Sequence, residues 1–161
     1  MLARLCLLIL LELGSGTASS QQKGNPALPC YQALAGDARF APLRDKVALG
    51  GDRNEMRRMT KSADRASAQE GAALAAWRNA RAECHKQELP YFATRDTRIQ
   101  ALAREHFAAV QALIAELQAG ALSYGEFGRR RIDLVERVTA RIEEVRQGIL
   151  PPKIKPLPVG Q

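Results

Sequence analysis

Two copies of one short pattern constrain the architecture of this chain more than any other feature. Ser67-Ala68-Gln69-Glu70 and Ser123-Tyr124-Gly125-Glu126 both read Ser-x-x-Glu. In such a capping box the Ser hydroxyl accepts an orphan backbone N–H at a helix start, and the Glu carboxylate reaches back to the N–H of the Ser. Two helix starts are therefore written into the chain. The helix after Ser67 carries Leu74, Trp77 and Cys84 on one side and is expected to run to about Lys86 or Gln87, because Pro90 cannot continue it. After Ser123 the apolar residues Phe127, Leu134, Val135, Val138, Ile142, Val145 and Ile149 recur mostly at three and four, until Gly148, Pro151 and Pro152 end the pattern.

A third helix is expected between them, beginning near Arg95. Its stripe is Ile99, Leu102, His106, Val110, Leu113 and Leu117, flanked by Phe107 and Ile114, and Gly120 stands where a terminal glycine belongs. The connection from Gly120 to Ser123 is so short that the last two helices should fold back as an antiparallel hairpin. Ala is abundant and aromatics are few, which favours close-packed helices over a sheet. The expected fold is all-α: a three-helix core with a C-terminal antiparallel helical hairpin, capped by short N-terminal helices. Those caps are expected around Cys30 to Ala35 and around Leu43 to Leu49, in a stretch broken by Pro26, Pro29, Pro42 and the Gly50-Gly51 turn. Tyr31, Leu34, Phe40, Leu43, Val47 and Leu49 are their apolar residues.

The N-terminus supplies an address. Arg4 precedes an apolar run from Leu5 to Leu13, followed by the small residues Gly14 to Ser20, which is the layout of a secretory signal peptide over residues 1–20. Cleavage is expected after Ser20, with Ala18 as the alternative. The run is far shorter than the roughly 20 residues a membrane-spanning helix needs, so no transmembrane segment is expected after cleavage. Neither Cys6 nor Cys30 lies where a lipoprotein cysteine must lie. The mature chain of roughly 140 residues is enough for one domain, expected over 21–149, with a Pro-rich flexible tail over 150–161.

Removing the leader takes Cys6 away and leaves Cys30 and Cys84. In the periplasm or outside the cell these two should pair, and closing the loop between them stabilises the fold by about 4 kcal/mol on the chain-entropy model. The alternatives are free thiols, or a metal site built from Cys84 and His85. Neighbouring helix positions point about 100° apart, a poor chelating geometry.

The sequence offers little that carries a reaction. It has no G-x-S-x-G, no phosphate-cradling Gly loop and no H-E-x-x-H, and Ser67 and Ser123 already serve as caps. No enzyme activity, cofactor or metal centre is expected. Glu105 and His106 are the least ordinary polar pair, since His106 falls on an apolar stripe where an imidazole would be buried enough to sense pH; a satisfied interhelical histidine is the commoner outcome. His85, with Glu83 or Glu88, reaches a shared metal site only if the fold brings it to His106.

The net charge of +7 is more suggestive. Arg53, Arg57, Lys61 and Arg65 recur every four residues, so in a helix they form one cationic ridge for an anionic partner, an acidic protein or a lipid surface. The alternative is a solvated face partly neutralised by Asp52, Glu55 and Asp64. Composition alone establishes no nucleic-acid partner, and none is expected. In the cluster Arg129, Arg130 and Arg131, the pairs Glu126 with Arg130, Arg129 with Asp133 and Asp133 with Arg137 describe an ordinary soluble helix.

The run Leu117 to Phe127 with Arg129, Arg130 and Arg131 resembles a recurring feature of small, uncharacterised exported helical proteins of proteobacteria. There a helix ends at Gly, a short turn leads to Ser or Thr with Tyr, and an Arg-rich helix follows; the resemblance implies no activity. Leu122 to Glu126 is also similar, as a degenerate copy, to the L-T-x-x-Q motif of helical periplasmic envelope-stress chaperones and their metal-sensing relatives. The expected function is that of an exported, non-enzymatic helical binding or interaction protein, with a periplasmic stress chaperone or metal-responsive protein as the alternative.

Overall fold

Both capping boxes form. In the computed structural model, which describes residues 24–149, Glu70 N donates to Ser67 Oγ at 3.3 Å and Ser67 N donates to Glu70 Oε2 at 2.8 Å. The second box is closed in the same way, at 3.2 and 2.7 Å. The expected signal peptide over 1–20, its expected cleavage after Ser20 and the expected tail over 150–161 lie outside the described residues.

Among the described residues the chain is all-α. A short α1 (Leu28–Ala33) leads through 3-10 turns at Leu34–Gly36 and Ala38–Leu43 to α2 (Arg53–Arg58) and a further 3-10 turn at Met59–Lys61; α3 (Ala68–Ala93), α4 (Thr97–Gln118) and α5 (Tyr124–Arg146) follow. No strand is present among these residues, and the one β feature is an isolated antiparallel bridge between Arg65 and Ser123. No described helix is long and apolar enough to cross a membrane.

The long helices share one core. α4 packs against both α3 and α5, and Trp77, Tyr124, Phe40 and Phe127 are its largest fully buried side chains. Leu74, Val110, Leu113, Ile114, Leu117 and Leu134 fill the spaces between them. Gly120, at φ +69°, makes the sharp turn that sends α5 back along α4, and the Arg130 guanidinium meets Glu116 across that turn at 3.1 Å.

Two local expectations need correction. The helix opened by Ser67 does not stop at Gln87 but continues through Pro90 to Ala93. A proline this close to a helix end removes only one backbone hydrogen bond. The exposed carbonyls beyond it find side chains instead: Thr94 Oγ1 donates to Tyr91 O at 2.9 Å, and Gln100 Nε2 donates to Arg95 O at 3.0 Å. The second N-terminal piece lies at Ala38–Leu43 rather than at Leu43 to Leu49, because Asp37 caps it by accepting from Arg39 N and Asp45 at φ +65° turns the chain away. Val47, Ala48 and Leu49 are buried without being helical.

Three ties hold the N-terminal cap onto the long helices. Cys30 and Cys84 stand at disulfide distance, with sulfurs 1.99 Å apart, joining α1 to α3. Asn25 and Tyr31 both donate to the Glu88 carboxylate on α3, the latter at 3.2 Å. Lys46 pairs with Glu70, the acidic member of the first capping box, and this pair with the box holds that carboxyl well below its ordinary range, at about 2.

Candidate functional site

Each of the two helices opened by a capping box carries one arginine on its apolar stripe. Arg81 follows Trp77 by four residues and precedes Cys84 by three; Arg131 follows Phe127 by four and precedes Leu134 by three. Helical periodicity thus turns both cations inward. Arg81 is 8% exposed and Arg131 is 3% exposed.

Neither guanidinium forms an ion pair among the described residues. Arg131 Nη1 donates to Ala48 O at 3.0 Å, which pins the buried Val47 to Leu49 segment, and its guanidinium lies 5.5 Å from the ring centroids of both Trp77 and Phe127. Arg81 lies 5.1 Å from the Tyr31 ring and 5.3 Å from that of Trp77. Aromatic faces are a weak substitute for a counter-ion, and Arg81 Nε has no hydrogen-bond partner among the described residues. Burial, the largest cause, lowers the pKa of both, and for Arg131, which also feels Arg81, it falls to about 9. Both remain cationic at neutral pH.

Arg81 and Arg131 border a cavity of about 270 Å³, partly open to solvent and bounded by α1, α2, α3, α4, α5 and the Gly50-Gly51 turn. Its walls are apolar, with Phe92, Ala103, Phe107, Val110, Val138 and Ile142 prominent, and Leu28, half exposed, stands at its edge. Glu88 also lines it but is committed elsewhere, facing Asn25, the Tyr31 hydroxyl and His85 Nδ1 at 3.1 Å. Burial and the charge of Glu88 raise the Tyr31 phenol above its ordinary range, so it stays a donor.

His106 lines the same cavity, with Nδ1 buried and unpartnered among the described residues. Burial, then the nearby Arg81, push its pKa down to about 4, so the ring is neutral at pH 7. His85 stacks on Phe107 at 3.8 Å between centroids, 6° from parallel. Among the described residues no group of three or more His, Cys, Asp or Glu is placed to hold a metal ion.

The fold distributes the residues singled out from sequence unevenly. Cys30 and Cys84 are brought together, and His106 reaches the cavity. Arg53, Arg57, Lys61 and Arg65 do not share one helical face: α2 ends at Arg58, Lys61 closes a 3-10 turn and Arg65 lies in extended chain bridged to Ser123. All four are exposed. Arg53 donates to Thr139 Oγ1 at 3.2 Å, Arg57 to Asn54 Oδ1 at 3.3 Å and Arg65 to Gly120 O.

Arg131 is a correction of another kind. In the cluster taken as an ordinary soluble face, Asp133 does pair with Arg137, but Arg129 donates to Thr60 O, Arg130 pairs with Glu116 and Arg131 is buried. The sequence signal for both inward arginines was present, a cation on an apolar stripe at spacings of three and four. No family model matches the chain, and neither a curated protein nor a solved structure is similar to it.

Proposed function

We propose that this is an exported, non-enzymatic binding protein whose site is the cavity bordered by Arg81 and Arg131, and that it takes a small organic anion. One observation carries the reading: two buried guanidiniums face a mostly apolar cavity, and its one carboxylate, Glu88, is bonded to neither. A buried charge without a partner is costly, by several kcal/mol, unless something neutralises it. An anion entering the cavity supplies that partner in a low-dielectric setting, where a charge-assisted hydrogen bond is strongest. The Cys30 to Cys84 pair supports an oxidising compartment. The chain's one tryptophan, Trp77, lies beneath both cations and reports directly on the site. Titrating the exported protein with a panel of small organic anions should change Trp77 fluorescence saturably; a panel without any saturable response rejects the reading.

A second reading concerns macromolecular partners and rests on Arg53, Arg57, Lys61 and Arg65, which are exposed and in no ion pair among the described residues. Such cations favour an acidic protein or an anionic lipid surface. Co-sedimentation with anionic vesicles that weakens with salt, and weakens again when all four are changed to Gln, supports it; binding indifferent to both rejects it.

A further inference from the structure

We infer that the ligand is a monocarboxylic acid with an apolar body of on the order of ten non-hydrogen atoms, its carboxylate on Arg81 and its body against the walls contributed by α4 and α5. This rests on the anion-binding reading above and narrows it in charge, headgroup and shape.

The charge follows from the lining. Arg81, Arg131 and Glu88 are its charged residues and His106 is neutral; Glu55, outside the lining, opposes the charge of Arg131, so at most a single positive charge is left for the ligand to balance. A dianion would replace one uncompensated charge by another. The two cations are also not equivalent. Arg131 spends Nη1 on Ala48 O and is fixed by it, whereas the Arg81 side chain makes no hydrogen bond among the described residues, Nε included. Arg81 is therefore the free fork, and a guanidinium fork matches the two oxygens of a carboxylate. His106 Nδ1 is a second unpartnered polar atom at the cavity and adds a donor from a neutral ring.

The shape follows from the remaining walls. Ala103, Phe107 and Val110 on α4 and Val135, Val138 and Ile142 on α5 offer only apolar surface, where each methylene removed from water contributes about 0.8 kcal/mol. An inorganic anion would leave that surface uncovered. About 270 Å³ is roughly the liquid volume of nine waters, which accommodates a medium-length aliphatic acid or a single-ring aromatic acid.

The test is equilibrium titration of the oxidised protein, followed by calorimetry and Trp77 fluorescence, with octanoate, phenylpropionate, acetate, octanol and octyl phosphate. Octanoate and phenylpropionate should bind saturably, acetate at least a hundredfold more weakly, and octanol and octyl phosphate at least tenfold more weakly than octanoate. Arg81→Met should weaken octanoate at least tenfold and leave octanol unchanged, with circular dichroism checking that it folds. Independently of any variant, octanoate should shift the Arg81 Nε–H resonance of the unmodified protein. Acetate or octyl phosphate binding as tightly as octanoate overturns the monocarboxylate inference and leaves the anion-binding reading standing. Octanoate binding with an unmoved Arg81 resonance overturns the placement on Arg81 and leaves the anion-binding reading standing, whereas octanol binding as tightly as octanoate, or no binding by any of the five, overturns both.

Discussion

The Arg81 guanidinium lies 5.3 Å from the centroid of the Trp77 ring, one helical turn away on α3, and both side chains are buried. A cation held in this way has lost its water and gained ring faces and the more distant charge of Glu88 but no side-chain hydrogen bond among the described residues, so its burial is a cost to the fold that a ligand site explains and a core position does not. Arg81→Met keeps the volume and removes the charge. Replacing an uncompensated buried charge by a packed apolar side chain is expected to be neutral or to stabilise, by about 1 kcal/mol or more. Thermal denaturation should give a midpoint equal to or above that of the native protein. A fall of several degrees would assign Arg81 to holding the fold together.

Gly125 and Gly71 make a matched pair. A Cβ at Gly125 would stand 2.5 Å from Ser62 O and 2.6 Å from Thr60 O, because the 60–64 segment runs directly over the start of α5 and accepts Gly125 N at 3.0 Å and Tyr124 N at 2.9 Å. Gly125→Ala must displace backbone and should cost roughly 1–3 kcal/mol. At Gly71 the nearest atoms to a Cβ lie 3.9 Å away on Gln118, and Ala there should be stabilising by up to about 1 kcal/mol. Chemical denaturation of the two variants checks both; equal midpoints would mean that the 60–64 segment does not sit on α5.

His106 gives the fold a pH dependence of known sign. Its pKa falls from 6.5 to about 4 on folding, so between those values the unfolded chain binds more protons than the folded one. The contribution to stability is therefore complete above pH 6.5, declines as pH falls through that window and is lost below about 4, by an amount on the order of 3 kcal/mol. Burial is the main cause; Arg81, Arg131 and His85 add to it and Glu88 opposes it. Denaturant midpoints measured from pH 7 to pH 4 should fall less steeply in His106→Gln than in the native protein. Parallel curves would show that His106 is not the group responsible.

The Cys30 to Cys84 pair tethers α1, which contributes Leu28 and Tyr31 to the edge of the cavity. Non-reducing peptide mapping of the protein produced in an oxidising compartment should yield a cross-linked Cys30–Cys84 peptide. Changing both to Ser should cost about 2–5 kcal/mol and raise hydrogen exchange in α1 more than in α4. Two alkylatable thiols in that protein would remove this tether from the account.

What the sequence determined by itself is what depends on neighbours in the chain. Ser67 with Glu70 and Ser123 with Glu126 each satisfy a helix start using residues three apart, and Gly120 supplies a left-handed turn that needs no distant partner. The helical class and the turn into α5 were legible for that reason. The cysteine pair was legible too, by elimination once the leader is set aside. What only the tertiary structure decided is what depends on residues far apart in sequence. Pro90 remains helical because Gln100, on the next helix, caps the carbonyls beyond it. The four-residue spacing from Arg53 to Arg65 is not a ridge because the chain leaves α2 at Arg58 and lies down on α5, where only the absence of a side chain at Gly125 lets it approach. Arg81 and Arg131 both fall on apolar stripes, but Arg81 was not singled out and Arg131 was assigned to a soluble face. That they meet at one cavity, around Trp77 and without a carboxylate bonded to either, is decided by the packing of α3 against α4 and α5, because charge compensation is a property of the assembled interior and no local pattern records it.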